Sequence, residues 1–175
     1  MKPMTLEEYR AHADTYAAGR WAYWERVISW GVAMQPSTLL EIGPWKRPLF
    51  AGCDLLVGPQ AIAPIAGYPQ GVRYKHDITN TPWPIDDKAY DVLIACQVWE
   101  HLRRNEAEAF CEARRVARTV ILTFPWYSDC PKDPIHHNVT AERIFAWTAG
   151  VWPTAFEIVG EPARYLGIWH FGSGT

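Results

Sequence analysis

No stretch of the sequence approaches the ~18 consecutive apolar residues that a membrane span requires, and no apolar segment near the start has the form of a signal peptide. Both absences lead to the expectation of a cytoplasmic chain with no membrane partner. Cysteine is sparse: Cys53, Cys96, Cys111 and Cys130 are the four present, and none is in CxxC spacing. Free thiols in a reducing compartment are the simplest reading. Neither sign of charge is in excess, with 17 Lys and Arg against 19 Asp and Glu and a formal net charge of -2. Such a chain has no broad field to gather nucleic acid, so no obligatory nucleic-acid partner is expected. Internal repeats and low-complexity segments are lacking as well. At 175 residues the chain is expected to fold as one domain, with an N-terminal helical segment over 1–36 and an α/β core over 37–175.

Tryptophan, by contrast, is abundant, with ten in the chain. Side chains this large either pack a core, line a pocket or form a self-association surface, and the last makes a homodimer an expectation to test. Thr5 followed by Glu8 is a capping-box pattern, and Tyr9, Ala13, Tyr16, Trp24, Val27 and Ile28 share a helical stripe after it. The spacing predicts one long helix or a broken pair, packed on a sheet edge or closing its aromatics over a ligand. Short apolar or β-branched runs predict strands over 37–42, 54–57, 90–96 and 119–124, a further strand is expected over 72–75, and a weak helix or irregular loop over 61–66. Asn105 with Glu108 predicts a capped helix over 105–117, and Thr140 a short capped helix ending before Gly150. Runs over 155–160 and 165–171 complete the pattern as an antiparallel pair. Strands alternating with helices predict an α/β fold, a Rossmann-like and mostly parallel sheet flanked by helices with an antiparallel C-terminal edge.

In sheets of this kind ligands bind beyond the carboxyl ends of the strands. The residues there are Glu41 to Trp45, Gly58 to Gln60, His76 to Ile78, Gln97 to His101 and Pro125 to Tyr127. The succession LLEIG, HDI, TPWPIDDKAYDVLIACQVWEHL, an amphipathic helix and ILTFP resembles the class I S-adenosylmethionine-dependent methyltransferases, especially those acting on small molecules. The resemblance spans residues 37 to 171 in order of elements and is strongest from Asp77 to Leu102. It implies methyl transfer from S-adenosylmethionine to a small-molecule acceptor. It also implies that Glu41 and Gly43 belong to the cofactor loop, that Asp77 accepts from the adenine amine, that Ile78 covers the ring, and that Gln97 lines the methionine end. Each assignment suits its residue type: a glycine admits close backbone approach, a carboxylate accepts hydrogen bonds, and an aliphatic side chain covers a ring.

The chain departs from the family pattern at two positions. Trp45 stands where a second glycine is expected, and Val57-Gly58-Pro59-Gln60 offers Gln60 in place of the carboxylate that would hold the ribose. Two readings follow. In one, the Trp45 indole turns aside or stacks beside the cofactor and the protein is a methyltransferase. In the other, Trp45 blocks the cofactor site and the domain is a non-catalytic binding or scaffold protein. With no cap domain, the acceptor pocket is expected between the N-terminal helix and the Trp126 to Asn138 loop. His101 is a candidate general base, or a residue bonding the backbone after the fourth strand. His136 and His137 are candidates for lining that pocket, or members of an ordinary polar loop; adjacent histidines without a second spaced pair do not make a metal site, and no metal is expected. The basic residues Lys46, Arg47, Arg103, Arg104, Arg114, Arg115 and Arg118 read as solvated loop and helix faces, with an anion at Lys46 and Arg47 as the weaker reading.

Overall fold

Thr5 and Glu8 cap the first helix reciprocally. The Thr5 hydroxyl accepts from the Glu8 N–H at 3.1 Å and the Glu8 carboxylate from the Thr5 N–H at 2.9 Å, satisfying donors that a helix start leaves open. Helix α1 (Leu6–His12) follows, and α2 (Trp21–Ala33) is separate from it. The leading helix is thus a broken pair. The computed structural model describes residues 1–12, 19–44, 47–59, 72–126 and 139–172. Ala13 and Tyr16 of the expected stripe, the weak helix over 61–66 and the loop after Trp126 lie outside them.

Before α1, strand β1 (Lys2–Pro3) pairs antiparallel with β3 (Phe50–Ala51) in a small separate sheet. The main sheet comprises β2 (Leu39–Ile42), β4 (Asp54–Val57), β5 (Val72–Lys75), β6 (Tyr90–Cys96), β7 (Ala117–Pro125), β8 (Ala155–Val159) and β9 (Arg164–His170). Its order is β5-β4-β2-β6-β7-β9-β8. The first five strands run parallel, and β9 and β8 close the edge antiparallel, as the alternation of elements predicts. Strand β2 starts at Leu39 rather than Ser37 because the Ser37 and Thr38 N–H groups donate to the Asp91 carboxylate at 2.9 and 3.0 Å.

One face of the sheet is covered by Tyr23, Val27 and Ile28 of α2, packed on Leu39, Leu55, Val92 and Ile94. The other carries α3 (Glu106–Val116) and α4 (Ala141–Trp147), with Phe110, Ala113 and Ile144 buried against Leu40, Leu93 and Val120. Parallel neighbours are commonly joined through a helix. Residues 43–53, which join β2 to β4, contain none among their described residues. Leu49 and Phe50 of that connection pack with α2 instead. Gly31 of α2 makes room for this: a Cβ there would lie 2.6 Å from Phe50 Cζ. Gly31→Ala is therefore expected to lower stability in chemical denaturation, because overpacking costs about 1–3 kcal/mol and a helical alanine recovers about 1. A stabilised variant would contradict this packing.

Two sequence expectations need correction. Asn105 precedes α3 with φ of +59° and makes no capping bond; its amide donates instead to the Thr79 carbonyl at 2.9 Å. The left-handed backbone turns the side chain to a tertiary partner. Arg115 is not on a solvated face. It is bonded to the Glu112 carboxylate through Nε at 2.8 Å and Nη2 at 2.7 Å, to Asp87 at 2.7 Å, and to the Trp83 and Ile85 carbonyls at 3.1 and 2.7 Å. The guanidinium thereby fastens the segment before β6 to α3. Thr140 does cap α4, accepting from the Arg143 N–H at 3.3 Å.

Candidate functional site

The chain leaves β2 toward β4 on one side, while β6 lies on the other. Such a switch in direction opens a crevice at the carboxyl ends of the strands. A cavity of about 560 Å³ lies there, with walls from α2, the β2 and β4 ends, His76 to Ile78, and Cys96 to Val98 with His101 and Leu102. This volume is in the range of small-molecule sites. Of the residues singled out in the sequence, Glu41, Gly43, Asp77, Ile78, Gln97 and His101 all line it. Trp45, Gln60, His136 and His137 lie outside the described residues.

Gly43 ends β2 with φ of +62°, and a Cβ would approach Val98 Cγ2 to 3.0 Å. The left-handed backbone and the nearness of Val98 both favour a residue without a Cβ at this turn. Gln97 is also left-handed, with φ of +57°. Its N–H donates to the Thr123 carbonyl and hydroxyl, each at 3.1 Å, and its Nε2 to that hydroxyl at 3.3 Å. The turn after β6 is thereby tied to β7.

Asp77 Oδ1 accepts from the Thr79 N–H at 2.9 Å and the Thr79 hydroxyl at 2.8 Å. These bonds hold its carboxyl below the usual range, so Asp77 is an anion at neutral pH. Ile78 is buried, and its carbonyl accepts from the Trp83 indole at 3.0 Å. Glu41 is 3% exposed, and its Oε2 accepts from the Leu49 N–H at 2.7 Å. Burial pushes its carboxyl up to about 8, against the opposing bonds from Leu49 and Phe50. Glu41 thus braces the connection that follows Gly43. His101 closes the 3-10 turn Trp99–His101, its N–H donating to the Val98 carbonyl at 3.0 Å, and its side chain is exposed at the cavity.

Further lining residues include Arg20, which immediately precedes α2, Trp24 within it, Arg47, His76 and Cys96. Trp24 was legible as part of the N-terminal aromatic stripe. Arg20 lies one helical turn before it, a spacing that places both on one side. His76 Nε2 is 2.6 Å from the Asn80 carbonyl. Burial pushes the Cys96 thiol up, with the Glu41 charge adding to it, so this thiol is not a ready nucleophile. Among the described residues no group of His, Cys, Asp and Glu is placed to hold a metal ion. No helix among them is long and apolar enough to cross a membrane.

The sequence matches no protein-family profile and no curated protein. Solved structures are similar in fold. A SAM-dependent methyltransferase from Aquifex aeolicus superposes with a TM-score of 0.60 at 13% identity, covering 94% of this chain and 97% of that one. A possible histamine N-methyltransferase from Thermotoga maritima gives 0.62 at 15%, covering 85% and 89%. The N-terminal domain of EvdMO1 with SAH bound gives 0.58 at 11%, covering 96% and 90%.

Proposed function

We propose, from a fold shared with SAM-dependent methyltransferases and a cavity at its topological switch point, that the protein binds S-adenosylmethionine and transfers its methyl group to a small molecule. The observation that carries this reading is the cavity of about 560 Å³ at the carboxyl ends of the strands, into whose wall Gly43, Asp77, Ile78 and Gln97 are brought together. A neighbour of the same fold holds S-adenosylhomocysteine, in keeping with such a ligand here. Asp77, kept ionised by Thr79, would accept from the adenine amine, Ile78 would cover the ring, and Gln97 would line the opposite end. Glu41 would act through the Leu49 backbone, holding the loop after Gly43 in place. The cofactor, when bound, supplies a methyl group on a sulfonium leaving group. The residues then have mainly to align an acceptor and exclude water, so His101 is assigned no obligatory proton transfer.

Titration calorimetry with S-adenosylmethionine and S-adenosylhomocysteine tests the reading directly. Binding is expected, and Asp77→Asn, which keeps the Thr79 turn but removes the charge, is expected to weaken it about 10-fold, since a hydrogen bond to a charged group is worth about 1.5–3 kcal/mol. No heat and no thermal shift with the native chain, together with binding restored by Trp45→Gly, would replace this reading with the binding or scaffold one. One observation favours that second reading: the described part of the connection after Gly43 forms no helix, so no helix N-terminus is supplied there for the ligand. A homodimer is proposed through the outer strand β8, whose Phe156 and Ile158 are 60% and 46% exposed. Light scattering at two protein concentrations tests it, and a monomer at both would remove it.

A further inference from the structure

We infer that Arg47 gives the cavity an oxyanion subsite, which takes a carboxylate or a phosphate of the molecule bound beside the loop after Gly43. Arg47 lines the cavity and is half-buried, and among the described residues none shares a hydrogen bond or an ion pair with it. No guanidinium nitrogen of Arg47 is among the sealed polar atoms, so the head group is open to solvent. Its charge is also uncompensated. Of the two carboxyls in the described wall, Asp77 is engaged by Thr79, and the charges that weigh most on it are those of Arg104 and His76. Glu41 is held neutral up to about pH 8 by burial and is engaged by Leu49. On a chain of net charge -2, an unpaired cation in the ligand cavity is a local reversal of sign that gathers anions.

The backbone that carries Arg47 is set before a ligand arrives. Pro48 follows it, and a residue before proline is confined to extended conformations. One residue further, the Leu49 N–H donates to Glu41 at 2.7 Å and the Leu49 carbonyl accepts from the Met4 N–H at 2.8 Å. Phe50 then pairs with Pro3 in the small sheet. Only the side chain is left to order on binding, which keeps the entropic cost small. Across the cavity, Gly58 and Pro59 at the end of β4 bring no carboxylate to the wall, and a Cβ on Gly58 would meet nothing within 4 Å. Sheets of this kind offer a carboxylate at that strand end to ribose hydroxyls, and an arginine nearby where the ligand carries a phosphate instead. A guanidinium has donors and no acceptor, and its planar fork matches the paired oxygens of a carboxylate or phosphate.

Two sources offer that oxyanion: the amino-acid end of the cofactor, for which the inference rests on the proposed function, or a separate acidic molecule such as the methyl acceptor. The test titrates inorganic phosphate into the full chain in exchange for chloride at constant ionic strength, and follows the Leu49 amide resonance. Calorimetry then compares S-adenosylhomocysteine with S-adenosyl-3-thiopropylamine, which lacks only the carboxylate. If the cofactor is the source, the native protein prefers S-adenosylhomocysteine by about 10-fold or more, Arg47→Gln reduces that preference to about threefold or less, and bound S-adenosylhomocysteine abolishes the phosphate response. If a separate molecule is the source, the two nucleosides bind alike. Phosphate then moves the Leu49 resonance to saturation, with or without S-adenosylhomocysteine, in the native protein and not in Arg47→Gln. Arg47→Lys keeps the charge and is expected to retain the effect at weaker affinity, which separates a lost charge from a disturbed loop. The subsite is overturned if neither the preference nor the phosphate response depends on Arg47, or if Arg47→Lys loses the effect as fully as Arg47→Gln. The phosphate titration needs no nucleoside, so nucleoside binding reports separately on the proposed function.

Discussion

Glu41→Gln is expected to flatten the pH dependence of stability between about pH 5 and 8. In the folded chain the Glu41 carboxyl titrates near 8, against an ordinary 4.5. Below 4.5 both the folded and unfolded chains hold this proton. Between the two values the unfolded chain gives it up and the folded chain keeps it, so stability falls as pH rises. Above 8 both are ionised and the loss is complete. A tenfold change in proton affinity is worth ~1.4 kcal/mol, which puts the whole decline at up to about 5 kcal/mol. Glutamine can still accept from the Leu49 N–H, and its own buried amide protons cost about 1–3 kcal/mol at every pH. The variant should therefore be the less stable chain at pH 5 and the more stable one at pH 9. Urea denaturation of both proteins across that range gives the measurement. Asp77, Asp91 and Glu112 are held low by their partners, and they contribute in the acid range to both proteins, cancelling in the difference. A constant difference from pH 5 to 9 would show that Glu41 is ionised in the folded chain throughout.

Trp99→Ala is expected to be the most damaging single core truncation, at about 3–5 kcal/mol. Trp99 is 1% exposed and among the largest fully buried side chains. Its indole N–H donates to the Glu106 carbonyl at 3.1 Å, so it fastens the turn after β6 to the start of α3. That turn carries Val98, His101 and Leu102 into the cavity wall. Trp99→Phe keeps a ring but loses the bond and some volume, and should cost about half as much. Ligand affinity should decline in the same order, because the turn loses its anchor before the fold is lost. Denaturation midpoints and calorimetry on the two variants separate these effects. A Trp99→Ala protein within about 1 kcal/mol of the parent would place the indole outside the core.

Much of this architecture is visible in local chemistry. The strands over 54–57 and 90–96 stand where their apolar runs stop at Gly58-Pro59 and Gln97, and the one over 72–75 ends before His76. Buried parallel strands are nearly continuous apolar runs, and their ends mark the ligand side of the sheet, so Gly43, Asp77, Ile78 and Gln97 could be brought together before any coordinates. What escaped was decided by distant partners. Asn105 has the composition of a cap, but Thr79, 26 residues away in sequence, takes its amide. Arg115 has the spacing of a solvated face, but the Trp83 and Ile85 carbonyls claim its guanidinium. Glu41 matches a family position, yet its bond to Leu49 depends on a connection whose course no local pattern signals. Arg20 becomes a site residue only through the placement of α2 over the sheet.

That placement also decides what shields the sheet. Nucleotide-binding sheets of this kind are recognised by the glycine loop after the first strand and the helix it opens. Here the described part of that connection is helix-free, and α2, which precedes the sheet in the chain, covers the face with Leu49 and Phe50. A chain can shed its crossover helix when another segment already shields the same apolar surface. The fold is retained under this different cover, with TM-scores of 0.58–0.62 at identities of 11–15%.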